Sequence, residues 1–293
     1  MLNGGTHDYA MERRLRELNP DLHKRFTDAV FALQFNLSNY KLIFPEFTDH
    51  TNLHSLSVID FCNRLIGDQI LCLNADEIYA LLMGCYLHDT GMGISMKDFQ
   101  LFSQQIDFGD YFETHSRENY PAIIRDFHHE YSGRFIQKYH EMLEFPSDAH
   151  RWAIKQIARG HRKTDLLDAR EYPMAFPLPG GNTLCLPYLA ALIRLADEID
   201  VSAARNPMLL YDIKQLTIPK QIRLYRMTMS IRALEVTERA FVLNLDVSDP
   251  DILQGDRDIA KKMQQTLDYC RAAVNGRTPY VITQEQVLVR ETP

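Results

Sequence analysis

Six histidine and aspartate side chains stand along, or at the ends of, successive helical segments with apolar faces. They are His54, His88, Asp89, His129, His161 and Asp197. If the helices pack together, all six side chains point inward. A single buried histidine is most often a hydrogen-bonded core residue, but several imidazoles and carboxylates in one core are costly to remove from water unless they share a cation. The pattern therefore predicts a buried metal cluster.

Apolar residues at helical spacing mark the segments that must position these side chains. Asn74 and Glu77 form a capping-box pattern at the start of one helix, and Asp148 is expected to cap another. Asn19-Pro20 divides the N-terminal stretch into two helices. The core helices are predicted over 53–66, 75–88, 121–143, 148–160 and 187–200.

The pattern changes after Asn206. Apolar residues alternate over 223–232 and 239–247, which predicts two strands with a turn at Thr237-Glu238 between them. A helix and a final strand follow, over 249–274 and 280–289.

The predicted fold class is therefore mainly α, with an all-helical core and a smaller C-terminal α+β unit. The expected division is N-terminal helices over 1–48, a metal-binding helical domain over 49–205 and the α+β unit over 206–293.

The ordered set of ligand candidates resembles the H…HD…H…H…D signature of the HD-domain superfamily of metal-dependent phosphohydrolases. The resemblance rests on three motifs and spans residues 50 to 205: Leu87-His88-Asp89-Thr90-Gly91, His129-x-x-x-Gly133 and Leu195-Ala196-Asp197-Glu198-Ile199-Asp200. It implies an all-helical core. Tyr131-Ser132-Gly133 stands where the HD-GYP subfamily would continue its own signature, so hydrolysis of cyclic-di-GMP is not indicated.

The resemblance also implies a division of the ligands between two ions. His54, His88, Asp89 and Asp197 would hold one metal, and Asp89 would bridge to a second metal held by His129 and His161. Two divalent ions can activate water and neutralise a phosphoryl group, which makes Asp89 a catalytic candidate. Mn, Fe, Zn, Mg, Co and Ni are not distinguished by this mixed nitrogen and oxygen set.

Residues beside the ligands have predicted supporting roles. We prefer His129 to His128 as the ligand because of its four-residue step to Gly133, and His128 then supports the site from behind the ligands. Glu130 and Asp200 are expected to orient imidazoles.

Three cations follow or precede ligands. Arg162, Lys163 and Arg194 are candidates for phosphate binding, and Arg162 and Lys163 rank first because they open a Pro/Gly-rich loop, 164–183, that is expected to act as a lid.

The leading function is a metal-dependent phosphohydrolase or phosphodiesterase acting on a nucleotide or another phosphate ester. An HD-fold di-iron oxygenase is an alternative, because such enzymes use a similar ligand set. A non-enzymatic, metal-stabilised HD scaffold is another, in which the C-terminal unit binds a protein partner or a second copy of the chain.

Composition narrows the classes of partner. The chain has 39 acidic residues against 32 Lys plus Arg, a net charge of −7, which argues against a broad nucleic-acid surface. Its five cysteines form no C-x-x-C pair, and no stretch has the length and apolar character of a signal peptide or membrane span. We expect a cytoplasmic protein with a small phosphate-containing substrate.

Overall fold

The computed structural model describes residues 9–46, 51–201, 217–246 and 250–292. Within these ranges it is mainly helical with a few strands in small sheets, which confirms the predicted fold class. None of the helices in the described part combines the length and apolar character needed to cross a lipid bilayer.

Among the described residues, most helices come early in the chain and the strands come later. The helices before the first strands are α1 (Ala10–Leu18), α2 (Pro20–Ser38), α3 (Tyr40–Ile43), α4 (Asn52–Ile66), α5 (Ala75–Leu87), α6 (Met96–Ser103), α7 (Tyr111–Thr114), α8 (Tyr120–Lys138), α9 (His140–Leu143) and α10 (Asp148–Arg159). The elements that follow are β1 (Phe176–Pro177), β2 (Thr183–Leu184), α11 (Leu186–Ile199), α12 (Pro219–Ser230), β3 (Ile231–Val236), β4 (Ala240–Asp246), α13 (Pro250–Val274) and β5 (Gln286–Thr292).

Local capping fixes where several helices begin. The break at Asn19-Pro20 is confirmed: Asn19 accepts a hydrogen bond from the backbone of Leu22 and Pro20 opens α2. The capping box at Asn74 and Glu77 is also confirmed. The expectation that Asp148 caps α10 was wrong, because the side chain of Ser147 accepts the capping hydrogen bond and Asp148 is already helical.

Helix α5 lies at the centre of the helical core. Every residue from 77 to 87 is buried, and the helix packs against α1, α2, α4, α10 and α11. Its sequence is apolar on all sides, as expected of a helix surrounded by others. This position carries the residues that follow its last turn, His88 and Asp89, into the middle of the molecule.

A tight contact holds the turn after α5 against α8. A Cβ atom on Gly91 would lie 2.2 Å from the carbonyl oxygen of His128, so only glycine allows this approach. The Ser132 hydroxyl donates to the carbonyl oxygen of His88 at 2.6 Å and accepts from the Gly91 N–H at 2.8 Å. These contacts fix Asp89 beside the middle of α8.

The C-terminal sheet has the strand order β3-β4-β5, with β3 and β4 antiparallel and β4 and β5 parallel. The turn expected at Thr237-Glu238 joins β3 to β4, and Thr237 accepts from and donates to Ala240 there. Helix α13 packs on both the sheet and α11. The sheet is thereby attached to the helical core through one long helix.

The predicted strand over 223–232 was wrong over most of its length. Those residues form α12, and β3 begins at Ile231. Gln221, Tyr225 and Thr228 are the buried residues of α12, and their spacing of four and three places them on one helical face. The alternating apolar residues Met227 and Met229 misled the interpretation because neither is fully buried.

The final strand also begins later than predicted, at Gln286 instead of Tyr280. Tyr280 instead packs on the helical core, where its ring stacks on Tyr188 with centroids 4.3 Å apart and its hydroxyl donates to Glu77 at 2.8 Å.

The division into three units stays a prediction. The boundaries at residues 48 and 205 both lie outside the described residues. Buried residues from all three predicted units, such as Leu15, Leu82 and Phe241, belong to one hydrophobic cluster. The C-terminal unit is therefore in direct contact with the helices that carry the ligand candidates.

Candidate metal centre

Asp89 lies between two pairs of histidines, one pair on each of its carboxylate oxygens. Its Oδ2 is 3.5 Å from Nε2 of both His54 and His88. Its Oδ1 is 3.4 Å from Nε2 of His128 and 3.8 Å from Nε2 of His161. All five side chains are almost fully buried. The structure thus forms two groups of possible metal ligands that share one carboxylate.

The other ring nitrogen of each histidine is held by an acceptor. Nδ1 of His88 donates to the carbonyl oxygen of Cys85, Nδ1 of His128 to that of Arg125 and Nδ1 of His161 to that of Ala158, at 2.6–2.8 Å. Each acceptor lies three residues earlier in the chain. Because a carbonyl oxygen only accepts hydrogen bonds, Nδ1 carries the proton in all three. Their Nε2 atoms therefore present lone pairs to the centre.

His54 reaches the same tautomer through carboxylate support. Its Nδ1 donates to Oδ2 of Asp200 at 2.7 Å, and the hydroxyl of Ser57 donates to the other oxygen of Asp200 at 2.8 Å. Asp200 thus lies beside an imidazole whose orientation its hydrogen bond fixes. Carboxylate support of this kind raises the basicity of the ligand nitrogen.

Facing lone pairs make the cluster unfavourable by itself. Nε2 of His128 lies 2.8 Å from Nε2 of His161, and Nε2 of His54 lies 3.2 Å from Nε2 of His88. Burial lowers the pKa of His161 to about 3 and holds the pKa of His128 well below its usual value, so both rings are neutral at neutral pH. With no proton between the nitrogens of His128 and His161, a cation is the group that makes their arrangement favourable.

The spacing of the donor atoms fits such a cation. Ligands about 2.1 Å from one ion lie roughly 3.0 Å apart at octahedral and 3.4 Å apart at tetrahedral angles. Nε2 of His54 and Oδ2 of Asp89 are separated by 3.5 Å, and Nε2 of His128 and Oδ1 of Asp89 by 3.4 Å. The donor set of imidazole nitrogens and carboxylate oxygens suits divalent transition metals.

Asp197 places a further carboxylate beside His54 of the first group. Its Oδ1 lies 3.2 Å from Nε2 of His54. Its side chain is 23% exposed, more than those of the other ligand candidates.

The preference for His129 over His128 is corrected by the structure. Successive residues of a helix are rotated by about 100°, and the backbone at Phe127 departs from helical geometry (φ −119°, ψ 15°). This brings His128 to Asp89, whereas the ring of His129 stacks against Phe127. Gly133, which guided the preference, instead faces Arg159 of α10.

The other predicted neighbours of the ligands have different partners. Glu130 forms an ion pair with Arg159 at 2.6 Å and lies 3.8 Å from His129, so it orients none of the clustered histidines. Arg194 donates to the carbonyl oxygens of Gly160 and Thr164 and covers the ring of Tyr269, and these bonds position the chain on both sides of His161.

A cavity of about 220 Å³ opens onto the cluster. Its walls contain three cations, Arg125, Arg162 and Lys262. Lys262 pairs with Glu198 at 2.8 Å, whereas within the described part of the chain the guanidinium of Arg162 has no ion-pair partner. Lys163 was wrongly grouped with Arg162: it is exposed and points at the carbonyl oxygen of Asp126, 3.3 Å away.

Sequence reasoning missed two of these cations. Arg125 stands three residues before His128 and would have followed from choosing that histidine. Lys262 lies on α13, outside the part of the chain that carried the resemblance, as do Leu224 and Thr228 of α12, which also line the cavity. The C-terminal unit therefore forms one wall of the site.

The loop over 164–183 is anchored, which does not support its expected role as a lid. Leu166 and Tyr172 are each only 1% exposed. The hydroxyl of Tyr269 accepts from the backbone of Leu166, and the hydroxyl of Tyr172 donates to Thr164 at 2.8 Å. Opening this loop would expose both side chains and break these bonds.

Helices that gather four histidines around one shared aspartate define an HD-type metal-binding protein. The comparison with family models agrees: the model described as HD-CE matches residues 44–280, which is most of the chain. The chain therefore belongs to the HD-CE family. No curated protein and no solved structure matches it.

Proposed function

We propose that this protein is a metal-dependent phosphohydrolase that cleaves a phosphate ester at the Asp89 cluster. One observation carries the proposal: imidazole lone pairs converge on both oxygens of a single buried carboxylate, beside a cavity whose walls include two arginines and a lysine. In this proposal His54, His88, Asp89 and Asp197 hold one divalent ion, and Asp89, His128 and His161 hold another.

In the proposed reaction the ligands bind the metal ions and the cations bind the phosphate group. Divalent ions bound at this cluster would supply Lewis-acid activation of water and neutralisation of phosphoryl charge. Arg162 lines the cavity near Glu198 but forms no ion pair among the described residues, so its guanidinium can donate charge-assisted hydrogen bonds to phosphate oxygens. Asp200 and the three backbone carbonyls keep the imidazoles in the ligand tautomer throughout.

The cations favour hydrolysis over the oxygenase alternative. Arg125, Arg162 and Lys262 line the cavity together with four carboxylates, of which Glu198 pairs with Lys262. Anionic phosphate oxygens are groups that arginine side chains bind well. Molecular oxygen, the co-substrate of an oxygenase, is uncharged and needs no cation to bind it. The cavity beside the cluster likewise supports a reaction site over a scaffold that only needs its metal for stability. A protein partner or a second copy of the chain at the C-terminal unit stays a prediction.

Metal content and phosphate release test the proposal together. Purified protein is analysed for its metals, and then supplied separately with Mn²⁺, Mg²⁺, Zn²⁺, Co²⁺, Ni²⁺ and Fe²⁺ and assayed on phosphomonoesters, cyclic nucleotides, dinucleotides and nucleoside triphosphates. We expect metal-dependent cleavage of at least one class and its loss in Arg162→Ala without loss of metal. Iron-dependent oxygen uptake with no cleavage of any ester would replace the proposal with the oxygenase.

A further inference from the structure

A second and larger cavity, of about 530 Å³, adjoins the site and has no part in the chemistry above. Its volume lies in the range of sites that enclose small organic ligands. Arg125 and Leu224 line both cavities, so the two spaces meet at these side chains. Any role for this cavity in substrate binding rests on the proposed function, because it concerns the part of the substrate that is not phosphate.

Two helices run from the larger cavity to the metal cluster. On α8, Ala122 and Arg125 line the larger cavity, and His128 follows at the cluster. On α12, Gln221 and Leu224 line the larger cavity, and Thr228 lines the smaller one. Seven residues of helix span about 10 Å, so a molecule of that length can have one end at the cluster and the other beside Gln221.

The walls of the larger cavity are mostly apolar. Phe44, Pro45, Pro121 and Ile218 contribute surfaces without hydrogen-bonding side chains. Such walls favour a group with apolar faces, and flat aromatic rings bury the most area for the least loss of conformational freedom.

Gln221 is one of the polar residues of this cavity, which is also lined by Glu46, Asn119, Arg125, Asp126 and Lys220. Gln221 is only 8% exposed, and its side-chain amide has no hydrogen-bond partner among the described residues. An amide that lines a cavity and has no partner in the protein can pair with a ligand bound there. An amide offers a donor and an acceptor side by side, which matches a ring edge that carries an acceptor beside a donor.

We propose that this cavity binds the organic part of the substrate, and that this part is a flat heteroaromatic ring whose polar edge is read by Gln221. Arg125 stands where the two cavities meet and contacts the phosphate end of the molecule. The substrate class is therefore a phosphate ester with a base-like ring, and Gln221 determines the specificity for that ring.

Binding in the absence of turnover tests this assignment. Chelator-treated protein is titrated calorimetrically with the 5′-monophosphates of adenosine, guanosine, cytidine and uridine, and with ribose 5-phosphate as the ring-free probe. We expect at least one nucleotide to bind at least tenfold more tightly than ribose 5-phosphate. Gln221→Leu should reduce that preference about tenfold and leave the affinity for ribose 5-phosphate unchanged, because it removes only the contact with the ring.

Two controls separate the ring contact from general damage. Gln100→Leu makes the same change at an exposed position of α6 and should alter neither affinity. Leu224→Trp fills the junction of the cavities and should abolish the preference for nucleotides. Equal affinities for all five probes in the unchanged protein, or an equal loss for all of them in Gln221→Leu, would overturn the assignment.

The result is independent of whether the protein is a hydrolase. Ring-dependent binding without release of phosphate from any ester would support the cavity assignment and contradict the proposed function. Metal-dependent cleavage of ribose 5-phosphate as efficiently as of the nucleotides, with equal binding, would support the proposed function and overturn the cavity assignment.

Discussion

His150 and the four clustered histidines are all buried in the helical core, and their surroundings differ in one respect. His150 has a hydrogen-bonding partner on each ring nitrogen, the hydroxyl of Ser147 at 2.8 Å and Oδ1 of Asp76 at 2.9 Å. The clustered histidines have such a partner on Nδ1 alone, and their Nε2 atoms face one another around Asp89. His150 and the clustered histidines are equally buried. Burial therefore does not distinguish His150 from the clustered histidines, whereas the partner of the second nitrogen does.

The largest difference between the Asp89 cluster and the Asp76–His150 pair should follow loss of their carboxylates. Asp89→Ala removes the group shared by both histidine pairs, so we expect most of the bound metal to be lost and any phosphate release to fall by more than about 100-fold. Elemental analysis measures the metal directly. Asp76→Ala is the matched control, and it should retain its metal. Full metal content in Asp89→Ala would contradict the shared-ligand assignment.

The adjacent histidines His128 and His129 on α8 allow a ligand to be compared with a buried histidine that is not a ligand. His128→Ala should lose about one of two bound ions, because it removes a ligand of the second pair only. His129→Ala should keep both, since His129 belongs to neither group of possible ligands. The two variants make the same chemical change at neighbouring buried positions, and metal content per folded chain distinguishes them. Depletion in His129→Ala alone would restore the assignment made from the sequence.

A smaller effect is expected from loss of carboxylate support. Asp200→Ala leaves His54 in place but removes the acceptor that fixes its tautomer, so metal affinity should fall roughly 10–100-fold without complete loss. Competition with a chelator of known affinity measures the change. Asp60→Ala alters a half-exposed carboxylate on the same helix, paired with Arg64, and should leave the affinity unchanged. Similar affinities in both variants would show that Asp200 has no influence on the ligand.

The Asp76–His150 pair should affect stability alone. Asp76→Asn weakens its hydrogen bond to His150, and we expect a loss of about 1–3 kcal/mol in the free energy of unfolding, with metal content unchanged. Urea denaturation measures the loss. Metal depletion in this variant would contradict the view that the Asp76–His150 pair has no part in metal binding.

The same pair predicts a pH dependence. The hydrogen bond from His150 lowers the pKa of Asp76, against the opposing effect of burial, and Asn182 lowers it further. A carboxylate whose pKa is lowered by folding stabilises the protein above its unfolded pKa of about 3.9. The stability advantage over Asp76→Asn should therefore be complete near neutral pH and should decrease as the pH falls below about 4. A stability advantage over Asp76→Asn that persists in acid would contradict the assignment of this pH dependence to the carboxylate of Asp76.

Much of the site was predictable because the ligands follow strong local patterns. His54, His88, Asp89 and His161 lie on or just beyond helices whose apolar faces are visible in the sequence, and the helices bring them together. The choice between His128 and His129 was not predictable, because helical periodicity assumes regular geometry and the backbone departs from it at Phe127.

The cavities were beyond prediction for a different reason. Their walls combine α8 with α12 and α13, which are distant in the chain, and no local pattern records that contact. The same contact explains the wrong strand over 223–232: the buried face of α12 is set by what packs against it, and that was unknown from the sequence.

Anomalous scattering from a crystal grown with Mn²⁺ tests the central claim most directly. Two peaks are predicted, one on each side of the Asp89 carboxylate: the first beside Nε2 of His54 and His88, the second beside Nε2 of His128 and His161. Absence of any peak at Asp89 in manganese-loaded crystals, or a peak bound by His129 in place of His128, would contradict the account.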